Sequence, residues 1–272
     1  MSGKHTYPRR GLHGELVHRI GLQILSGELQ PNDPISVESG VVAELGPSRS
    51  VVREAIKVLQ AKGLIEAKQS LGTRVQPRVR WNLLDPDILA WFGELENPDA
   101  TLLRNLTELR FLIEPPCARI AAIRGTPREI ARIRELFDDM VRLADSPSEF
   151  APVDVLFHAA IVAATHNDLL EQLTRSMGAA LVRTRTWLSE AWEGIDGSGI
   201  RGTLPDHEVV VVALEQGDGE EAERASRRLL EGALDDLEMV LGAREKLGAT
   251  ADGAVPTERR RSVTVRSHGP SR

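Results

Sequence analysis

The chain has little cysteine and no long apolar run. Its 272 residues include one cysteine, Cys117, so an intramolecular disulfide is excluded. There is no secretory signal and no apolar run of about 18 residues or more that could cross a membrane. We therefore expect a cytoplasmic protein with no membrane partner. Cys117 falls in an apolar helical pattern, which favours a buried, inert thiol over a nucleophile.

Acidic residues outnumber basic ones, but the balance changes along the chain. The formal net charge is −6. Residues 1–80 carry 12 Lys and Arg against 7 Asp and Glu, residues 81–247 carry 17 against 31, and residues 248–272 carry 5 against 2. A basic head on an acidic body suits a protein that holds DNA at one end only, because the duplex repels the body.

The N-terminal part has the pattern of three helices followed by a β-hairpin wing. Apolar residues recur every four positions from Leu12 to Ile24, which predicts a first helix. Ser48 is the predicted N-cap of the third helix. The elements predicted after the first helix are a short helix at 38–45, a longer one at 48–62, and strands at 64–67 and 73–75.

The helix at 48–62 is cationic on one face. Arg49, Arg53 and Lys57 recur every four residues, and apolar residues line the opposite face. A helix fits the major groove of DNA, where side chains near its start reach base edges and cations neutralise phosphates. A solvated face is the alternative for an isolated helix, but the turn, the cap and the wing together favour DNA recognition.

The same residues resemble a known family. The letters SRSVVREA at 48–55, GLI at 63–65 and GT at 72–73 are similar to the winged helix of the GntR family of bacterial transcription regulators. The resemblance implies a homodimer whose winged helices bind the half-sites of a double-stranded DNA operator. The resemblance implies five residues in contact with DNA, namely Ser48, Arg49, Ser50, Arg53 and, at the wing tip, Gly72. Lys57, on the cationic helix face, is a further predicted DNA contact.

The remainder of the chain predicts a docked linker and a helical bundle. Large apolar residues surround 85–87, so we expect a short helix packed on one or both domains rather than a flexible tether. The fold class is mainly α, with a winged helix-turn-helix domain at 9–78, the linker at 79–98, an antiparallel all-α bundle at 99–245 and a disordered basic tail at 246–272.

Six helices are predicted in the bundle. They cover the apolar stripe from 102 to 120, then 126–143, 152–164, 169–188, 204–216 and 218–241. Pro115 and Pro116 are expected to interrupt and kink the first of them, since they remove two backbone donors. Residues 189–202 are predicted to form a Gly-rich loop long enough to act as a lid.

Two histidines and an aspartate form a candidate metal site. Asp154 and His158 lie four residues apart on one helix, and His207 is placed in the first turn of another. Such residues bind a divalent transition metal, zinc or similar, although a lone buried histidine is more often hydrogen-bonded in a core.

A second resemblance bears on this site. The letters DVLFH at 154–158 and DH at 206–207 are similar to the metal-site motifs of the FadR-type effector domain, FCD, which follows some GntR-type winged helices. Metal-binding members have a further histidine where this chain has Leu229, so the resemblance implies three ligands. The linker and bundle are most similar to the galactonate-utilisation branch of the family.

Three ligands leave coordination positions for water or a chelating hydroxy acid. Arg110 would bind the carboxylate of such an effector or pair with Glu114, and the resemblance favours the first role. Trp187 would stack on a sugar acid or fill the core. Thr203 would hydrogen-bond a hydroxyl group or cap the fifth bundle helix.

The sequence as a whole predicts a DNA-binding transcription regulator, not an enzyme. We expect a repressor of sugar-acid metabolism genes that a small galactonate-like carboxylate releases from DNA. A metal-dependent enzyme acting on a hydroxy acid is the alternative, because an open two-His, one-carboxylate site can activate water. An enzyme needs no winged head, however, and a purely architectural DNA binder would leave the buried polar site unexplained.

Overall fold

The computed structural model describes residues 7, 11–35, 40–68, 72–95, 99–192 and 199–252. The described chain is mainly helical with one small sheet, which confirms the predicted fold class. In chain order the elements are α1 Gly11–Leu25, β1 Pro34–Ile35, α2 Gly40–Leu45, α3 Arg49–Ala61, β2 Ile65–Lys68, β3 Gly72–Val75, α4 Pro86–Phe92, α5 Ala100–Arg124, α6 Pro127–Arg142, α7 Pro147–Ala163, α8 Asp168–Trp192, α9 Gly199–Gln216 and α10 Gly219–Asp252.

The head consists of α1 to α3 and a three-stranded antiparallel sheet. Ser48 caps α3 as predicted, because its hydroxyl accepts a hydrogen bond from the Val51 amide at 3.4 Å. The strand order is β1-β3-β2, and β2 and β3 form the predicted wing. The sequence did not predict β1, since two residues are too few to show an alternating pattern.

The linker helix α4 is docked, as predicted. The Asp85 carboxylate caps it by accepting hydrogen bonds from the Asp87 amide at 2.9 Å and the Ile88 amide at 3.2 Å. Its apolar side chains are buried against both α1 of the head and α8 of the bundle. The head, the linker and the near end of the bundle therefore share one apolar core.

Three predictions made beside prolines in the bundle are wrong, namely one helix interruption and two helix starts. The helix α5 continues through Pro115 and Pro116 instead of being interrupted there. The helix α7 begins at Pro147, where a missing amide costs nothing, and includes Pro152. The helix α9 begins at Gly199 and includes Pro205. A proline inside a helix removes one hydrogen bond, and here the packing of the flanking residues outweighs that loss.

Helix replaces part of the predicted lid and the first residues of the predicted tail. Residues 189–192 belong to α8 and residues 199–202 belong to α9, while 193–198 lie outside the described residues. The last helix, α10, continues to Asp252 rather than ending near residue 241. The predicted disordered tail at 246–272 is thus helical as far as residue 252, and 253–272 lie outside the described residues.

Candidate metal centre and DNA-binding face

The structure brings Asp154, His158 and His207 together, as the sequence predicts. Asp154 and His158 lie one turn apart on α7, and α9 supplies His207. His207 Nε2 lies 3.2 Å from Asp154 Oδ1, and His158 Nε2 lies 3.7 Å from the same oxygen. All three side chains are at most 5% exposed. The metal-ligating atoms of the three residues lie within 4.8 Å of one another.

The atoms that face each other in this triad lack hydrogen bonds. Asp154 Oδ1, His158 Nε2 and His207 Nε2 are buried and have no hydrogen-bond partner among the described residues. A buried polar atom without a partner is costly, and most such atoms in folded proteins are satisfied. A divalent cation between the three atoms would satisfy all of them at once, so the residues fit a metal site.

The opposite side of each triad residue is held by a neighbour. His158 Nδ1 lies 2.7 Å from Glu114 Oε2, and His207 Nδ1 lies 2.7 Å from the Thr203 carbonyl oxygen. Both contacts place the ring proton on Nδ1, which leaves the Nε2 lone pair directed at the centre. Asp154 Oδ2 accepts a hydrogen bond from Arg185 Nε at 2.9 Å, which leaves Oδ1 available.

The electrostatic surroundings favour the protonation states that a metal requires. Burial would raise the pKa of Asp154, but Arg185 and the two histidines outweigh burial and hold that pKa well below its usual value. Burial, aided by Arg110, lowers the pKa of His158 despite the nearby carboxylates. The centre therefore offers an ionised carboxylate and a neutral imidazole near pH 7.

The residues predicted to bind an effector are not gathered in one cavity. Arg110 is 4% exposed, and its Nε donates to Glu114 Oε1 at 2.7 Å, so the pairing alternative is present. Arg110 and Arg185 line a cavity of about 10 Å³, which has room for about one water molecule. Trp187 is half-buried and lines a different cavity of about 50 Å³, beside α4.

Thr203 lies inside α9 rather than at its N-cap, which corrects the capping alternative and the placement of His207 in the first turn. Its hydroxyl donates to the Ile200 carbonyl at 2.9 Å. Its backbone carbonyl, rather than its hydroxyl, contacts His207.

The sequence did not predict two side chains that contact the triad, those of Glu114 and Arg185. The sequence indicated Glu114 only as a partner for Arg110, although its position one turn away in an apolar pattern was a signal of burial. Arg110 and His158 overcome the effect of burial on Glu114 and lower its pKa to about 2. No spacing signal pointed to Arg185, because it reaches Asp154 from another helix.

The residues predicted to contact DNA are exposed in the head. Ser48, Arg49, Ser50, Arg53 and Lys57 are all exposed on or just before α3. Lys57 Nζ also pairs with Glu54 at 2.8 Å, and both side chains are more than half exposed. Gly72 is exposed at the start of β3 with a φ of +71°, and the preceding residues 69–71 lie outside the described residues.

Cys117 is buried, as predicted, and burial together with Glu114 raises the pKa of its thiol to about 11. It is therefore a thiol in the protein core at neutral pH, not a thiolate. No helix within the described residues is both long enough and apolar enough to span a bilayer.

Comparisons with known proteins agree with this arrangement. Residues 12–75 match "Bacterial regulatory proteins, gntR family" and residues 105–232 match the "FCD domain". The galactonate operon transcriptional repressor of Escherichia coli is 34% identical over 218 residues, which cover 79% of this chain and 92% of that protein. The regulator LutR of Bacillus subtilis is 28% identical and covers 74% of this chain and 90% of its own length.

A solved structure of Lar, which controls the expression of the Listeria monocytogenes agr system, has the same fold. It aligns with a TM-score of 0.56 at 15% identity, covering 86% of this chain and 99% of that one. The winged head, the bundle and the two family matches lead to one conclusion: the chain is a DNA-binding transcription regulator that belongs to the gntR family and carries an FCD domain.

Proposed function

We propose that this regulator is a homodimeric repressor whose bundle binds a divalent metal through Asp154, His158 and His207. The convergence of three buried, unpartnered ligand atoms carries the metal proposal. Zinc fits the two nitrogen ligands and one oxygen ligand. The metal would supply a Lewis-acidic centre for an anionic ligand, with three protein ligands leaving further coordination positions open.

We propose that the effector is a small hydroxy acid that completes the coordination of this metal. Two guanidinium groups, those of Arg110 and Arg185, lie next to the triad and line one small cavity. The carboxylate of the effector would compete with Glu114 for Arg110, or with Asp154 for Arg185. In either position it would replace the negative charge of the side chain that it displaces. The cavity is small, so binding requires the helices around it to move apart.

The similarity to the galactonate operon repressor supports a sugar acid such as galactonate as this effector. The same similarity supports repression, and we propose that effector binding releases the protein from DNA. The effector changes operator affinity only by the difference in its affinity for the free and the DNA-bound conformations.

The helix α8 offers a direct connection from the site to the linker. Arg185 on α8 binds Asp154, and Arg183 on the same helix donates from Nε to the Gly93 carbonyl at 2.7 Å, just beyond α4. An effector that displaces Arg185 therefore shifts a helix that holds the linker. Through α4, that shift would change the angle between the two heads of the dimer and weaken operator binding.

Calorimetric titration of galactonate into the purified protein tests the site. We expect binding that is lost after chelation and restored by zinc, because the metal holds the acid. The His158→Ala variant should lose this binding. The matched control is His166→Ala, since His166 is an exposed histidine that contacts Glu129 on the surface. Galactonate binding that survives both chelation and His158→Ala would refute the metal-held effector.

A further inference from the structure

A buried lysine joins the DNA-reading helix to the linker. Lys62 is the C-cap of α3 and is only 2% exposed. Its Nζ donates to Asp85 Oδ1 at 2.7 Å and to Asp87 Oδ2 at 2.6 Å, and Asp87 is fully buried. Lysine and aspartate are rarely this buried unless they are paired, so the position of one fixes the position of the others.

The same groups organise the ends of both helices. The oxygen of Asp85 that accepts from Lys62 also accepts from the first amides of α4, so a single carboxylate caps α4 and holds the end of α3. The Lys62 ammonium also lies 5.5 Å from the ring centroid of Trp91 on α4 and 5.6 Å from that of Tyr7. These are cation–π distances.

Close backbone packing removes the room for sliding at this joint. A Cβ atom on Gly21 of α1 would come within 2.5 Å of the Trp91 ring. A Cβ on Gly63, whose φ is +74°, would lie 2.2 Å from the Arg80 carbonyl oxygen. The amide of Asn82 donates to the Lys62 carbonyl at 2.9 Å. The linker thus packs closely against the head at Gly21 and Gly63, where there is no room for a larger side chain.

A cavity lies on the other side of α4. The cavity of about 50 Å³ lies between α4 and the bundle helices α5 and α8, and most of its lining is apolar. The Arg183 side chain crosses this boundary to the Gly93 carbonyl and is itself exposed. Among the described residues, this cavity provides space for a change of packing on the bundle side of α4.

We propose that Lys62, Asp85 and Asp87 form an ionic lock that makes α3 and α4 one rigid body, so that any movement of α4 against the bundle turns the DNA-reading helix with it. Lys62 is then a positioning residue for operator recognition, although it lies on the buried side of the head. The link to an effector rests on the proposed function, whereas the rigidity of the joint does not.

The variant that tests the lock must not leave a buried charge unpaired. Lys62→Met alone leaves two buried carboxylates without the lysine that neutralises them, so this variant is expected to fold poorly. The triple variant Lys62→Met/Asp85→Asn/Asp87→Asn removes all three charges, and an asparagine at position 85 can still cap α4. The matched control is Arg104→Gln/Glu238→Gln, which removes an exposed ion pair within the bundle.

Hydrogen exchange of the full chain measures the coupling without any effector. The DNA probe is a duplex that the unaltered protein selects from a random library. We expect this duplex to slow amide exchange in α3 and, by roughly tenfold, in α4, because the two open together. In the triple variant the protection of α3 should remain and that of α4 should weaken, while the control keeps both. Full protection of α4 in the triple variant would overturn the lock.

A second measurement separates this proposal from the proposed function. The Kd for the duplex is measured with and without zinc plus galactonate. If the unaltered protein does not respond, the proposed effector is wrong, and the exchange experiment still decides on the lock. If the unaltered protein responds, the ratio of the two Kd values should move towards one in the triple variant, since α4 is then held to α3 by packing and backbone contacts alone. A full response in that variant would contradict the lock.

Discussion

Metal binding should stabilise the bundle by an amount that follows from the triad. The unfolded chain has no preformed site, so the free energy of metal binding adds to the free energy of unfolding. At a free zinc concentration of about 100 times the Kd, this linkage contributes about 2.7 kcal/mol. In a protein of this size, each kcal/mol raises the Tm by about 2–4 °C. The expected increase is therefore about 5–11 °C.

The assay is thermal unfolding of the chelator-treated protein, followed by circular dichroism, with and without zinc. His158→Ala removes one ligand and should reduce the zinc-dependent increase in Tm to less than about 2 °C. His166→Ala should retain the full increase, because His166 is about half exposed and outside the triad.

An equal increase in both variants would show that zinc binds elsewhere on the chain. No increase in the unaltered protein would refute the reasoning from the three unpartnered atoms. In that case the triad would be a buried polar cluster in which a proton, rather than a metal, joins Asp154 to the histidines.

Three further predictions concern single side chains. The pKa of Glu114 is about 2 in the folded protein against 4.5 for the ordinary group, so its stabilisation, about 3 kcal/mol, is present above pH 4.5 and lost as the pH falls towards 2. Urea unfolding at several pH values should therefore show a weaker acid dependence in Glu114→Gln. Arg53→Ala should weaken operator binding by about 1–3 kcal/mol in a fluorescence anisotropy titration, whereas Arg132→Ala, an exposed change on α6, should not. The Cys117 thiol should react with a disulfide reagent only after unfolding, and rapid reaction of the native protein would contradict its burial.

The head could be predicted from the sequence in almost all of its parts, because its signals are local. Ser48 caps the helix that follows it, and the apolar positions of α3 face α1 as their spacing requires. Thr126 and Glu129 likewise form a complete capping box at the start of α6. Prediction failed where prolines were taken as boundaries, because local rules do not include the packing that keeps Pro152 and Pro205 inside helices.

The candidate site was only half predictable, for a different reason. The spacing of Asp154 and His158 puts them on one helical face without any knowledge of the fold. The residues that orient them come from α5 and α8, and the faces on which these helices meet α7 depend on crossing angles that sequence spacing does not define. Glu114 and Arg185 were therefore missed, although both are more than 85% shielded from solvent.

Through Arg183 and Arg185, α8 contacts both the linker and the triad. Two residues apart on a helix, they are separated by about 3 Å along the axis and by about 200° around it. One points to Asp154 and the other to the Gly93 carbonyl, so α8 lies between the triad and the linker. A rotation of α8 that frees Arg185 must therefore move Arg183.

We predict that Arg183→Ala leaves the zinc-dependent increase in Tm unchanged but reduces the effect of galactonate on operator affinity, since the linker no longer follows α8. The matched control is Arg175→Ala, because Arg175 is an exposed residue of α8 that pairs with Glu171 on the same helix. Operator titrations with and without galactonate compare the two variants. If Arg183→Ala responded as fully as Arg175→Ala, the signal would have to reach the head by a route other than the contact between α8 and Gly93, and the apolar packing of α4 on the bundle would be that route.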